Sequence, residues 1–248
     1  MVPSSKNVLI TGGAKGLGAH LARHLCAEGH RILVLDRTAV EDLAPDYQQM
    51  LAQYMTVDLG DELAVRDCIA GMLASNEGRI DVLINNAGAR SFQEFSAFDA
   101  YEIERCIQVN FKTPLLLTHA LLPLMKQNGY GRIINIGSLS GFRGYGSGSL
   151  YCSTKAALAV FTQSVGSELA ASGEGVTINA ICPDSFRTRE GEELPGFEET
   201  LKTTARTVDT LLRSRTNGEV IPVASRRRLF AEASVGLRKH TSWLFKRK

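Results

Sequence analysis

The sequence predicts an α/β fold: one doubly wound parallel sheet between two helical layers, three layers in all, in a single domain. Three observations carry this: the chain length, the alternation of short apolar runs with longer amphipathic stretches, and a glycine-rich turn directly after the first run. At 248 residues the chain suits one α/β domain, an architecture that commonly runs to roughly 200–250 residues, and two full domains would be cramped. Residues 8–11, 31–36, 53–57, 82–85, 132–137 and 176–181 read as strands, with helical periodicity between them. Right-handed crossovers then cover both faces of the sheet and leave a ligand crevice beyond the carboxyl ends of the strands. Residues 218–223 read as a last short strand, with Pro222 confined to an edge because it has no N–H for a ladder.

Composition narrows the class further. Hydrophobic residues make up 44% and charged residues 22%, which supports a packed core and argues against wholesale disorder. The formal net charge of +2 gives no case for nucleic acid, and no apolar run reaches the roughly 18 residues of a membrane span. The first residues lack the pattern of a secretory signal, and the five cysteines have no paired spacing, so free thiols and a cytoplasmic location are expected. No metal cluster is visible. The domain is expected to span residues 1–224, with a polar substrate lid at about 184–217 that is mobile around 188–195, followed by a basic extension at 225–248. That extension holds eight Lys or Arg against one Glu from Arg226 onward. It interleaves Leu229, Phe230, Trp243 and Phe245, and reads as subunit packing or a solvated tail ahead of membrane contact, since Gly236 interrupts the helix.

The turn after the first strand is Thr11-Gly-Gly-Ala-Lys-Gly-Leu-Gly18. Gly12, Gly16 and Gly18 allow a tight turn, approach of backbone to a pyrophosphate and close packing of helix on strand, with the helix N-terminus aimed at the phosphates. This is the fingerprint of a Rossmann-like dinucleotide site. Asp36 ends the second strand, where a carboxylate accepts hydrogen bonds from the adenosine ribose hydroxyls and repels a 2′-phosphate. That favours NAD(H); Lys15 and Arg37 keep NADP(H) open. Asp58 reads either as a contact to the adenine amino group or as a cap for the helix starting near Asp61.

The second cluster is Ser138 at a strand end, followed by Tyr151 and Lys155, which are i and i+4 on one helix face. A phenol with pKa near 10 is a poor acid or base at neutral pH unless a cation stabilises its anion, and Lys155 is the expected cation. With the glycine loop, Asn85-Asn-Ala-Gly88, Asn110 and Tyr151-Cys-Ser-Thr-Lys155, the chain resembles the classical short-chain dehydrogenase/reductase family from about residue 7 to residue 188. The resemblance implies that Tyr151 is the general acid in reduction and base in oxidation, and that Ser138 polarises the carbonyl. It implies that Lys155 holds the nicotinamide ribose and lowers the Tyr151 pKa, and that Asn110 anchors a proton-relay water. It makes Thr11, Leu17, Leu59, Asn86, Ala87, Gly88, Pro183 and Thr188 further cofactor residues, and a homotetramer or homodimer the expected assembly, through the helices around 113–128 and 151–172. Asp184 departs from the family, which has glycine there.

Arg90 and Arg143 flank the expected substrate path and suit a carboxylate or phosphate, or else are solvated or interface arginines. The expected activity is hydride transfer between NAD(H) and a carbonyl or secondary alcohol. The alternatives are an NADP(H)-dependent 3-oxoacyl reductase and, from another class, a dinucleotide-sensing regulator without turnover, against which the intact Asn110, Ser138, Tyr151 and Lys155 set argues.

Overall fold

A computed structural model describes residues 5–74, 79–90, 92–184 and 196–223. Its strands are β1 (Asn7–Thr11), β2 (Arg31–Asp36), β3 (Gln53–Thr56), β4 (Val82–Asn85), β5 (Gly131–Ile136), β6 (Val176–Pro183) and β7 (Val220–Val223). They form one parallel sheet in the order β3-β2-β1-β4-β5-β6-β7. The chain winds outward from β1 to β3, then returns to the other side of β1 with β4. This reversal opens the crevice at the carboxyl ends of β1 and β4.

The helices are α1 (Gly16–Ala27), α2 (Pro45–Met50), α3 (Glu62–Ala74), α4 (Ala100–Ile107), α5 (Thr113–Gln127), α6 (Ser149–Ser172) and α7 (Phe197–Arg213). Successive strand side chains point to opposite faces, so β1 sends Val8 and Ile10 to one core and Leu9 to the other. Leu21 and Leu25 of α1 and Val208 and Leu211 of α7 pack in the first core; Leu117, Leu121 and Met125 of α5 and Leu169 of α6 pack in the second. The central strands β4, β5 and β6 are buried along their whole length on both faces, and the polar Arg132, Asn135, Thr177 and Asn179 within them are buried too.

The expected strands form with small shifts. β6 runs on to Pro183 because β7 pairs beside it, with Cys182 opposite Pro222 and Pro183 opposite Val223. β7 is an edge strand, which accommodates Pro222. Residues 197–213 of the expected lid are α7, whose Thr200, Thr204, Ala205, Val208 and Leu211 are buried. The Thr200 and Thr204 hydroxyls donate to the carbonyls of Gly196 and Thr200 one turn back, so these polar residues serve as small core groups. Asp209 also pairs with His24 of α1 at 2.9 Å. Thr188, the mobility expected around 188–195 and the basic extension lie outside the described residues.

Between α4 and α5 the helix continues without interruption through one π-helical turn, Gln108–Lys112, that contains Asn110. Gly12 has φ of +66° and Gly18 lies so close to it that a Cβ on Gly18 would stand 2.1 Å from the Gly12 carbonyl oxygen. Gly18→Ala is therefore expected to cost several-fold more stability than an ordinary surface change, about 1–3 kcal/mol. Gly71→Ala in α3, where a Cβ meets open space, is expected to gain about 0.5–1 kcal/mol. Urea unfolding of both variants checks the contrast.

Candidate active site

One cavity of about 680 Å³ runs along the carboxyl ends of the strands and is lined at one end by the glycine loop and at the other by Ser138, Tyr151 and Lys155. At the loop end, Gly12, Lys15, Gly16, Leu17 and Gly18 form the wall, and α1 begins at Gly16 with no acidic residue in its first turn. Its backbone N–H groups and the positive end of its dipole suit a pyrophosphate. A side chain at position 18 would fill the close approach of loop and helix, so the glycine pattern fits a dinucleotide.

Asp36 is buried at the end of β2 and lines the cavity beside Arg37. One carboxylate oxygen accepts the Ala14 N–H and the other the Thr38 N–H, each at 3.0 Å, which joins the acid to the glycine loop. Each oxygen keeps a lone pair for a ribose hydroxyl. Asp58 and Leu59 also line the cavity. The capping reading of Asp58 is corrected: Asp61 accepts the Leu63 and Ala64 N–H groups at the start of α3, while Asp58 takes both arms of Arg105 at 2.9 and 3.1 Å. That guanidinium holds the Asp58 carboxyl below the usual range.

Asn86, Ala87 and Gly88 form the wall after β4. Thr11 is buried away from the cavity and acts on it indirectly. Its hydroxyl oxygen accepts the Asn86 and Ala87 N–H groups, both at 3.0 Å, and the Asn86 amide donates to the Thr11 and Gly12 carbonyls, both at 2.9 Å. Pro183 and Asp184 line the β6 side. Among the described residues Ser147 is the non-glycine residue with positive φ, so Asp184 occupies the family's glycine position without backbone strain. Its N–H donates to the Val223 carbonyl at 2.8 Å, which continues the β6–β7 ladder.

At the reacting end, Ser138 caps a short 3₁₀ turn, with its hydroxyl oxygen accepting the Ser140 N–H at 3.1 Å. That bond uses an oxygen lone pair and leaves the proton to donate toward Tyr151. Tyr151 and Lys155 are both buried in α6. Burial pushes the Tyr151 phenol up, against the charge of Arg90 and hydrogen bonds from Ser138 and Arg90. The charge of Arg90 acts on the phenol, and the Lys155 ammonium donates to the Ile136 carbonyl at 2.8 Å, 5.9 Å from the Tyr151 ring centre. Desolvation pushes Lys155 down to about 8.

Asn110 sits behind the wall rather than in it. Its amide oxygen accepts the Ala89 N–H at 2.8 Å, and its nitrogen donates to the Ala89 carbonyl at 2.9 Å and to Thr154 at 3.1 Å. Arg90 lines the cavity and Arg143, exposed in the loop before α6, does not. Phe92, Arg105, Tyr145 and Phe197 also line it, although sequence reasoning did not select them. Phe92 and Tyr145 stack at 6.2 Å, and Phe92 meets Tyr151 edge-on at 5.5 Å. Phe92 and Tyr145 lie in loops, Arg105 in α4 and Phe197 at the start of α7, with no common spacing, so only the fold brings these four together.

A parallel sheet with a reversed winding, a glycine loop at the reversal and a buried Tyr-Lys pair opposite it together define a dinucleotide-dependent oxidoreductase. Comparison with known proteins gives the family. A model described as short chain dehydrogenase matches residues 6–199. The NAD(+)-dependent 2-dehydro-3-deoxy-L-rhamnonate dehydrogenase of a Sphingomonas strain is 32% identical over 188 residues, which are 75% of this chain and 74% of that one. Ketoacyl reductase HetN of Nostoc is 32% identical over 73% of this chain and 63% of that one. A metagenomic short-chain oxidoreductase solved with NADP is 28% identical, with a TM-score of 0.77 over 90% of this chain and 99% of that one. The chain belongs to the short-chain dehydrogenase family and is an NAD(P)-dependent oxidoreductase acting on a small molecule.

The buried Lys155 generates a stability prediction. A shift from 10.5 to about 8 corresponds to a cost on the order of 3 kcal/mol for the charged form at neutral pH. Loss of the bond to Ile136 returns about 1 kcal/mol of that. Lys155→Met is therefore expected to stabilise the cofactor-free protein at pH 7. Between pH 8 and pH 10.5 the unfolded chain keeps a proton that the folded chain has lost, so the gain fades as pH rises through that window. Denaturant unfolding of both proteins at pH 7 and near the upper limit checks the sign.

Proposed function

We propose that the chain transfers a hydride between NAD(H) and a small carbonyl or secondary alcohol, with Tyr151 as proton donor in reduction and acceptor in oxidation. The observation that carries this reading is the convergence of Ser138, Tyr151 and Lys155 on the cavity that also holds the glycine loop and Asp36. The nicotinamide, when bound, supplies the hydride donor or acceptor. Ser138 turns its proton from the Tyr151 phenol to the carbonyl oxygen and orients the substrate. Tyr151, kept protonated by burial, gives its proton to the same oxygen as charge develops there. Lys155 and Arg90 stabilise the phenolate that remains, and Lys155 would hold a ribose hydroxyl of the bound cofactor. Asn110 fixes Ala89, and a relay water at this residue falls to its main-chain carbonyl because its amide is engaged.

Asp36 supports NAD(H), because a 2′-phosphate beside it would meet like charge. Lys15 and Arg37 on the same wall support the second reading, an NADP(H)-dependent 3-oxoacyl reductase. The free cysteines Cys26, Cys68, Cys106, Cys152 and Cys182 support a cytoplasmic setting, and no described helix is long and apolar enough to cross a membrane. Exposed Val160 on α6, with Tyr101 and Ile107 on α4, supports a homodimer or homotetramer. Arg90 supports an anionic group on the substrate.

Fluorescence titration is expected to give a Kd for NADH at least tenfold below that for NADPH, and Asp36→Asn to narrow the gap; tighter NADPH binding would overturn the choice. Tyr151→Phe is expected to lower kcat by about 10²–10⁴-fold with NADH binding retained. Cofactor binding with no turnover of any carbonyl would favour the regulator instead.

A further inference from the structure

Arg105 and Asp58 form an ion pair on the cavity wall that the proposed chemistry leaves unused. Glu102 is followed three and four residues on by Arg105 and Cys106, which turns one face of α4 to the cavity. From that face Nη1 of Arg105 donates to Asp58 Oδ2 at 2.9 Å and Nη2 donates to Oδ1 at 3.1 Å, a fork of two charge-assisted bonds. Gly60 makes room for the fork: a Cβ there would stand 2.4 Å from Nη1 and 3.0 Å from Cζ. The Arg105 side chain is 22% exposed and that of Asp58 44%, so the pair opens on the cavity.

The pair also stands next to Asp36. β3 neighbours β2 at the edge of the sheet, Thr56 is in register with Asp36, and the Val57 N–H donates to the Asp36 carbonyl at 2.8 Å. A base carried by a ribose on Asp36 therefore meets the loop that holds Asp58. Of the about four lone-pair sites on a carboxylate, Oδ1 gives two, to the Gly60 N–H at 2.9 Å and to Nη2, and Oδ2 gives one, to Nη1. One acceptor is left, on Oδ2. The fork fixes its direction, because turning the carboxylate breaks two charge-assisted bonds. A single directed acceptor matches the amino group of adenine and opposes a carbonyl oxygen at the same place.

We infer that Arg105 is a positioning residue for the cofactor, whose fork aims the remaining Asp58 acceptor at the adenine amino group. This rests on the dinucleotide reading of the cavity. It also takes Arg105 out of any 2′-phosphate site, since its charge is engaged by Asp58, and leaves that role to Lys15 and Arg37.

The test is the Kd, by fluorescence titration, of NADH and of its hypoxanthine analogue, which has a carbonyl oxygen in place of the amino group. Wild type is compared with Arg105→Met, Arg105→Lys, Gly60→Ala, Asp58→Asn and the double variant Asp58→Asn with Arg105→Met. Wild type is expected to bind NADH at least tenfold more tightly than the analogue. In Arg105→Met that ratio falls at least threefold through weaker NADH binding, with the Kd of the analogue held within twofold, and Arg105→Lys recovers part of it. Gly60→Ala, which displaces the guanidinium and keeps every charge, lowers the ratio as well. The double variant matches Asp58→Asn, because Arg105 acts only through Asp58. The inference is overturned by a wild type without preference, by a ratio unchanged or raised in Arg105→Met, by equal loss of both ligands, or by effects of the two substitutions that add. If wild type binds both dinucleotides and one of these is seen, the positioning role alone fails; if it binds neither, the dinucleotide reading fails and the inference with it.

Discussion

The crevice between β1 and β4 exists because the winding reverses there, and nothing in the sheet ladder itself sets the width of its mouth. That task falls to the Asn86 amide, which donates to the carbonyls of Thr11 and Gly12 while the Thr11 hydroxyl accepts the N–H groups of residues 86 and 87. The glycine loop and the wall after β4 thereby become one rigid unit. From there the polar links continue: Ala89 is clamped by the Asn110 amide, Asn110 donates to Thr154, and the Thr154 hydroxyl donates to the Tyr151 carbonyl. An unbroken path of short contacts thus joins the loop that faces a pyrophosphate to the helix that carries the proton donor. Removing one partner would leave others buried without a mate, so the path resists partial change.

A second set of buried polar contacts fixes the same helix from beneath. The Asn85 amide donates to Asn135, the Asn135 amide donates to the Thr162 hydroxyl, and that hydroxyl donates to the Leu158 carbonyl within α6. Apolar side chains alone would allow α6 to slide along a surface of Ile and Leu at little cost; directional bonds do not. Together with Lys155 on the Ile136 carbonyl, they set both the height and the rotation of α6 over β5. The expense of burying an ammonium is borne at the position where the charge has chemical use.

How far the sequence discloses this depends on whether the signal is local. The parallel sheet, its edge at Pro222 and the glycine loop follow from short runs and spacings, and the structure has them within a residue or two. Ser138, Tyr151 and Lys155 were legible because a helix period and a strand end place them. α7 was not, because Thr200 and Thr204, with hydroxyls satisfied within the helix, share its buried face with Ala205, Val208 and Leu211 and break the apolar pattern. Asp58 was legible as a wall residue but its partner Arg105 lies 47 residues away, and only the close passage of α4 reveals the pair. Likewise, Arg90, from a loop after β4, adds its charge to that of Lys155 near the phenol, and no spacing announces it.

The π-helical turn at Gln108–Lys112 has an effect beyond placing Asn110. An α-helix advances about 100° per residue, and a π turn absorbs one extra residue without breaking the rod. α4 and α5 are therefore coupled by rotation: the turn sets the angle at which Leu117, Leu121 and Met125 face the sheet. Losing a single residue within the turn would restore a plain α-helix and leave those three side chains on the core, whereas a loss outside it would twist everything beyond by about 100°, more than a quarter revolution. The turn is slack taken up at one place in the rod, which can be removed without turning the far half, at the cost of where Asn110 stands.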